Sequence, residues 1–143
     1  MKVEPLAIVV GLHRVTNEID RDTSRLVSGY GLTLPQFGVL EALYHKGPMT
    51  VGEVQEAVLS TCGTISVILK NLEKQGLIAR SKDGRDQRKT CLSLTPDGQK
   101  LIQELYPKDK QLIQEEFSAY TDEEQKELFR LLYKFRAASK KGN

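Results

Sequence analysis

The sequence predicts a mainly α fold (α+β) in which a single β-hairpin interrupts a series of helices. Three observations carry this expectation. Apolar residues recur at steps of three, four and seven through most of the chain. Three capping-box spacings mark helix starts, at Thr33–Gln36, Thr50–Glu53 and Thr121–Glu124. Only the stretch between Gly76 and Pro96 changes to a period of two, around an Asp83-Gly84 turn signal.

Each element follows in order. Residues from about Leu6 to Ser28 read as a long helix, with Ile8, Leu12, Val15, Ile19, Leu26 and Tyr30 on one stripe. Val9 and Val10 add apolar residues on further faces, a pattern that needs burial on several sides. Gly29 and Gly31 end it. A second helix starts in the Thr33 box, with Pro35 in its first turn and Phe37, Leu40, Leu43 and Tyr44 on one face; Gly47-Pro48 stops it. A short third helix, Val51–Val58, turns Val54 and Val58 inward. Ser60 and Thr61 can cap a fourth, Thr61–Gln75, whose core face is Ile65, Ile68, Leu69 and Leu72, with Gly76 just past its end.

Strands are expected at Leu77–Lys82 and Lys89–Thr95. A long helix begins at Thr95-Pro96, which Pro107 should kink or interrupt. The last helix follows the Thr121 box and carries Leu128, Leu131, Leu132 and Phe135. The expected organisation is a central lobe over 31–106, with helices at 1–30 and 107–143 intertwined as dimerisation elements.

Composition sets bounds. A length of 143 residues suits one domain or one compact module with an extension. With 28% charged and 39% hydrophobic residues the chain reads as globular rather than disordered. No apolar run approaches the ~18 residues of a membrane span, and no export signal is recognisable, so a cytoplasmic location is expected. Cys62 and Cys91 do not form a disulfide framework. The net charge of +2 is too small to argue for nucleic acid; local patches must carry that argument.

The patches lie in the centre. Two short helices joined by few residues have helix-turn-helix geometry, in which the second helix enters the major groove. Opposite its core face lie Gly63, Val67, Lys70 and Lys74, flanked by Thr64, Ser66 and Asn71. Val67 is either a contact to a thymine methyl group or a satellite packing residue. A plain αα-hairpin would share this spacing, but the hairpin that follows carries Lys82, Arg85, Arg88 and Lys89 near its tip, with Asp83 and Asp86 among them. Arginines on a narrow protrusion suit the minor groove, although charged hairpin tips are also common as solvated turns. The two elements together predict a winged helix-turn-helix.

Leu72, Glu73, Gly76, Leu77, Ile78 and Arg80, then Asp86 and Arg88, then Leu94, Thr95 and Gly98 resemble the L-E-x-x-G-L-[IV]-x-R, D-x-R and L-T-x-x-G patterns of the MarR family of bacterial regulators. Gly31, Leu32, Thr33, Gln36 and Phe37 match its G-L-T-x-x-Q-[FW] pattern, and the similarity runs from about Leu6 to Phe135. The resemblance implies a homodimer with interlocked first and last helices. It implies DNA-facing positions at Ser60, Thr61, Gly63, Thr64, Ser66 and Lys70, and Arg88 as the minor-groove residue with Asp86 beside it. It further implies repression of a small regulon, relieved by a small phenolic molecule or an oxidant. The turn at 60–64 is similar to a branch that responds to quinones. Many members carry arginine where this chain has Val67, so the contact usual at that position is not carried over.

Other side chains offer candidate chemistry. Cys62, near the start of the fourth helix, is a candidate redox sensor, since a helix N-terminus favours the thiolate; the alternative is a small inert residue tolerated where serine would do. Cys91 reads as structural or incidental. His13 and Asn17, one turn apart on the first helix, are candidates for a ligand pocket or a polar interface pair. No histidine sits at metal-ligand spacing and no nucleotide, hydrolase or metalloprotease motif is present, so neither metal, cofactor nor enzymatic activity is expected. The expected partners are double-stranded DNA with a pseudo-palindromic site, a second copy of the chain, and a small phenolic or quinone effector, with no membrane. The alternative is a winged-helix protein-interaction module without DNA binding.

Overall fold

In the computed structural model the described residues are 2–58, 65–82, 84 and 86–141. Among the described residues, six helices and three strands run in the order α1 (Pro5–Ser28), α2 (Leu34–Lys46), β1 (Met49–Thr50), α3 (Val51–Ala57), α4 (Ile65–Lys74), β2 (Ile78–Lys82), β3 (Thr90–Leu94), α5 (Pro96–Glu116) and α6 (Asp122–Lys141). The chain divides into two compact units, 1–109 and 110–143.

All three capping boxes form. The Thr33 hydroxyl accepts the Gln36 amide at 3.3 Å, and Gln36 Oε1 accepts the Thr33 amide at 2.9 Å. Thr50 and Glu53 repeat the exchange at the start of α3, and Thr121 and Glu124 before α6. Each box satisfies two amides that the helix geometry leaves without partners.

In the first unit the apolar faces converge on one core. Leu40 of α2, Val54 of α3, Leu69 and Leu72 of α4, Leu92 of β3 and Ile102 and Leu105 of α5 are all buried. Burying each such side chain is worth about 1.5–3 kcal/mol, which makes this the main stabilising term of the unit. The spacing of Ile68, Leu69 and Leu72 holds α4 to the core along one stripe.

The strands form an antiparallel sheet in the order β1-β3-β2. The expected hairpin is β2–β3, with Ile78 opposite Leu94, Arg80 opposite Leu92 and Lys82 opposite Thr90. β1 was not expected. Met49 and Thr50 pair with Leu92 and Cys91, covering the other edge of β3.

The joint between α4, the hairpin and α5 is built on two glycines. Gly76 has φ +74°, a conformation that L side chains rarely adopt, and it turns the chain from α4 into β2. Thr95 then locks the start of α5 to that turn. Its hydroxyl donates to the Gly76 carbonyl at 2.5 Å and accepts the Gly98 amide at 3.0 Å, while its amide donates to the Leu77 carbonyl at 3.1 Å. Thus the L-T-x-x-G sequence is a helix start stapled to the end of the preceding helix.

Of the kink or interruption expected at Pro107, the interruption does not occur: α5 runs through it as one helix. Proline removes the donor for the Gln103 carbonyl, but Gln103 is exposed, so water can replace that bond.

Candidate nucleic-acid interface

One face of α4 is free. Ser66, Val67, Lys70, Asn71 and Lys74 are all exposed, while Ile68, Leu69 and Leu72 are buried beneath them. The helical spacing expected from the sequence therefore holds for Ser66, Val67 and Lys70. Of the other recognition-helix residues named from the sequence, Ser60, Thr61, Gly63 and Thr64 lie outside the described residues, as does Cys62.

The wing is tied to this helix by an ion pair. Arg80 Nε of β2 donates to Glu73 Oε1 of α4. The register puts Arg80 on the same side of the hairpin as Ile78 and Leu92, which are buried. The arginine stem thus runs along the apolar side and its head reaches back to α4. The L-E-x-x-G-L-[IV]-x-R sequence places both residues, yet its spacing alone does not reveal that they meet.

At the hairpin tip, Asp86 organises Arg88. The Asp86 carboxylate accepts the Arg88 amide at 3.0 Å and Arg88 Nε at 3.2 Å. The Lys89 amide donates to the Asp86 carbonyl at 3.0 Å, closing the turn. The Arg88 amide, followed by its guanidinium, holds the Asp86 carboxyl below the usual carboxylate range. The arginine side chain nevertheless remains 91% exposed. It is oriented from its base and presented to solvent. Lys82 and Lys89 are exposed on the same hairpin; Asp83 and Arg85 lie outside the described residues. A cation on a narrow, pre-shaped turn next to a free helix face is suited to contact phosphates and a groove together.

A second polar cluster draws on α1, α2 and α5. Thr23 of α1 donates to Asp109 of α5 at 3.2 Å, and both residues are buried. Burial pushes the Asp109 carboxyl up, against the pull of the Thr23 hydrogen bond. Glu41 of α2 is also raised, first by burial and then by the charge of Asp109, with His45 acting in the opposite direction. His45 packs edge-on against Tyr106, with ring centres 4.7 Å apart. Glu41, His45, Lys46 and Val58 line a groove of about 300 Å³. His13 and Asn17 are exposed on α1 and do not line it. Nothing local in the sequence marks this cluster, whose members are separated by up to 86 residues. Among the described residues no group of His, Cys, Asp and Glu could hold a metal ion. Among the described residues no helix is long and apolar enough to cross a membrane.

Comparison with known proteins agrees with this architecture. Residues 32–90 match the model of the MarR family. The chain is 32% identical to the uncharacterized HTH-type transcriptional regulator YsmB of Bacillus subtilis, over 79% of this chain and 77% of that protein. It resembles the solved structure of Bordetella bronchiseptica BpsR, whose DNA binding is regulated by 6-hydroxynicotinic acid. There the TM-score is 0.77 at 30% identity, covering 87% of this chain and 89% of the other. The MepR–DNA complex of S. aureus gives a TM-score of 0.77 at 25% identity, covering 89% and 94%. With its helix-turn-helix core, its Asp86–Arg88 wing and relatives of this kind along most of its length, the chain belongs to the MarR family of transcriptional regulators.

Proposed function

We propose that the protein is a homodimeric repressor that binds a pseudo-palindromic DNA site and leaves it when a small aromatic molecule or an oxidant arrives. The observation that carries the DNA-binding part is the exposed α4 face of Ser66, Val67 and Lys70 beside a wing whose Arg88 is 91% exposed and fixed at its base by Asp86. In this reading two α4 helices enter successive major grooves roughly 34–36 Å apart, and Lys82, Arg85, Arg88 and Lys89 meet the flanking backbone and minor groove. The MepR complex with DNA supports it.

Dimerisation is supported by apolar side chains that face solvent in the single chain. On α1, Leu6 is 74% exposed and Ile8 53%; on α6, Phe129 is 70% and Phe135 76% exposed. Apolar stripes of this size mark interfaces. The regulation of BpsR by 6-hydroxynicotinic acid, a small aromatic acid, supports an aromatic effector. Such a ligand releases DNA only by binding the DNA-competent and the released arrangements with different affinity.

A binding titration on the duplex upstream of the protein's own gene tests this reading. The expected result is saturable binding that resists excess random duplex and has a stoichiometry of one dimer per site. Binding no tighter than to random duplex would overturn it in favour of a protein-interaction role.

A further inference from the structure

Val67 is the one apolar residue on the free face of α4 among the described residues, and it is 50% exposed. That exposure decides against the packing alternative, because the helix already meets the core through Ile68, Leu69 and Leu72. Its surface neighbours Ser66, Lys70, Asn71 and Lys74 can all hydrogen-bond or carry charge. Valine can do neither.

The major groove offers donors and acceptors at every base pair and a single apolar feature, the C5 methyl group of thymine. A valine pressed against a cytosine amino group or a guanine carbonyl would strip that group of water and give nothing back, which is unfavourable. Against a thymine methyl it covers apolar surface with apolar surface. We propose that Val67 selects thymine by contact with its C5 methyl group, once in each half-site. The inference rests on the DNA-reading role of α4 proposed above.

The test uses the full-length protein and a duplex obtained by selection from a random library. Each thymine of one half-site, then of both, is replaced by uracil, which removes the methyl group and leaves every hydrogen-bonding group in place. For the unsubstituted protein one position per half-site should weaken binding about 4-fold, and both together roughly 15-fold, as expected for losing one buried methyl per contact. Val67→Ala should bind the thymine duplex correspondingly less tightly and be indifferent to uracil at that position. Its salt dependence should be unchanged, since no phosphate contact is lost. Its melting temperature should not fall, since alanine is the better helix former at an exposed helical position.

Two results would overturn the proposal: no position at which uracil weakens binding, or a uracil effect that persists undiminished in Val67→Ala. Failure to select any sequence at all would instead overturn the DNA-reading role on which it rests.

Discussion

Gly98 at the start of α5 lies directly against the backbone of Leu77. A Cβ built there would stand 2.0 Å from the Leu77 carbonyl oxygen and 3.0 Å from its carbonyl carbon. Backbone cannot yield as a flexible side chain does, so any larger residue must push α5 away from the α4–β2 turn. Gly98→Ala should therefore destabilise the fold by about 1–3 kcal/mol or more, the range for overpacking a tight contact. Thermal unfolding at fixed protein concentration measures this, and an unchanged melting temperature would show that the joint is more yielding than its geometry implies. The same variant should weaken DNA binding, because the joint also sets the hairpin against α4.

Arg88 tests the wing directly. Its side chain is 91% exposed and its base is held by Asp86, so truncation removes a cation without disturbing the core. Arg88→Ala should weaken binding to operator and random duplex alike. It should lower the slope of log K against log salt by about 1 for each wing that meets a phosphate. A slope identical to that of the unsubstituted protein would remove Arg88 from the interface.

The Glu73–Arg80 pair joins the reading helix to the wing, yet both side chains are about one-third exposed, at 33% and 35%. Solvent screens such a pair, so its contribution to stability should be modest. A double-mutant cycle with Glu73→Ala and Arg80→Ala should give a coupling of about 0.2–1 kcal/mol in unfolding. The effect on DNA affinity should be larger than the effect on stability, since the pair positions one DNA-facing element against the other. Equal losses in the two measurements would reduce it to an ordinary surface ion pair.

How much of this was legible in the sequence depends on how local each signal is. Capping boxes and helical stripes are written within a few residues, and every helix they mark is present. The α4 face was legible for the same reason: once Ile68, Leu69 and Leu72 are inside, Ser66, Val67 and Lys70 must be outside. β1 was hidden because two residues cannot show alternation, and because Thr50 already had a role as a helix cap. Pro107 does not interrupt α5 because its cost depends on whether water reaches the Gln103 carbonyl, which only the fold decides. Glu73 and Arg80 stood in a visible motif, but their contact follows from strand register. Thr23 and Asp109 are 86 positions apart, and no periodicity links them.

The buried Thr23–Asp109 pair makes stability depend on pH in a definite direction. Asp109 is 5% exposed, and burial raises its carboxyl above the ordinary value of 3.8 despite the Thr23 hydrogen bond. The folded protein therefore holds this proton more tightly than the unfolded chain does. Above the raised value the carboxylate is ionised in both states and the fold bears the cost of burying a charge. As pH falls through that value the folded form takes up the proton first, and the cost of the buried charge is progressively relieved; it stops changing below 3.8, where both states are protonated. Glu41 acts in the same sense, because its carboxyl is also raised by burial and by Asp109. Asp109→Asn keeps an acceptor for Thr23 and removes the charge. It should be more stable than the unsubstituted protein at neutral pH, with the difference shrinking as the solution is acidified. Thr23→Val should do the reverse at neutral pH, costing about 1–3 kcal/mol by leaving a buried carboxylate oxygen without that donor. Denaturant unfolding of the three proteins at a series of pH values from about 8 down to about 4 measures both effects. A stability difference for Asp109→Asn that is constant across this range would show that Asp109 is not the group that titrates.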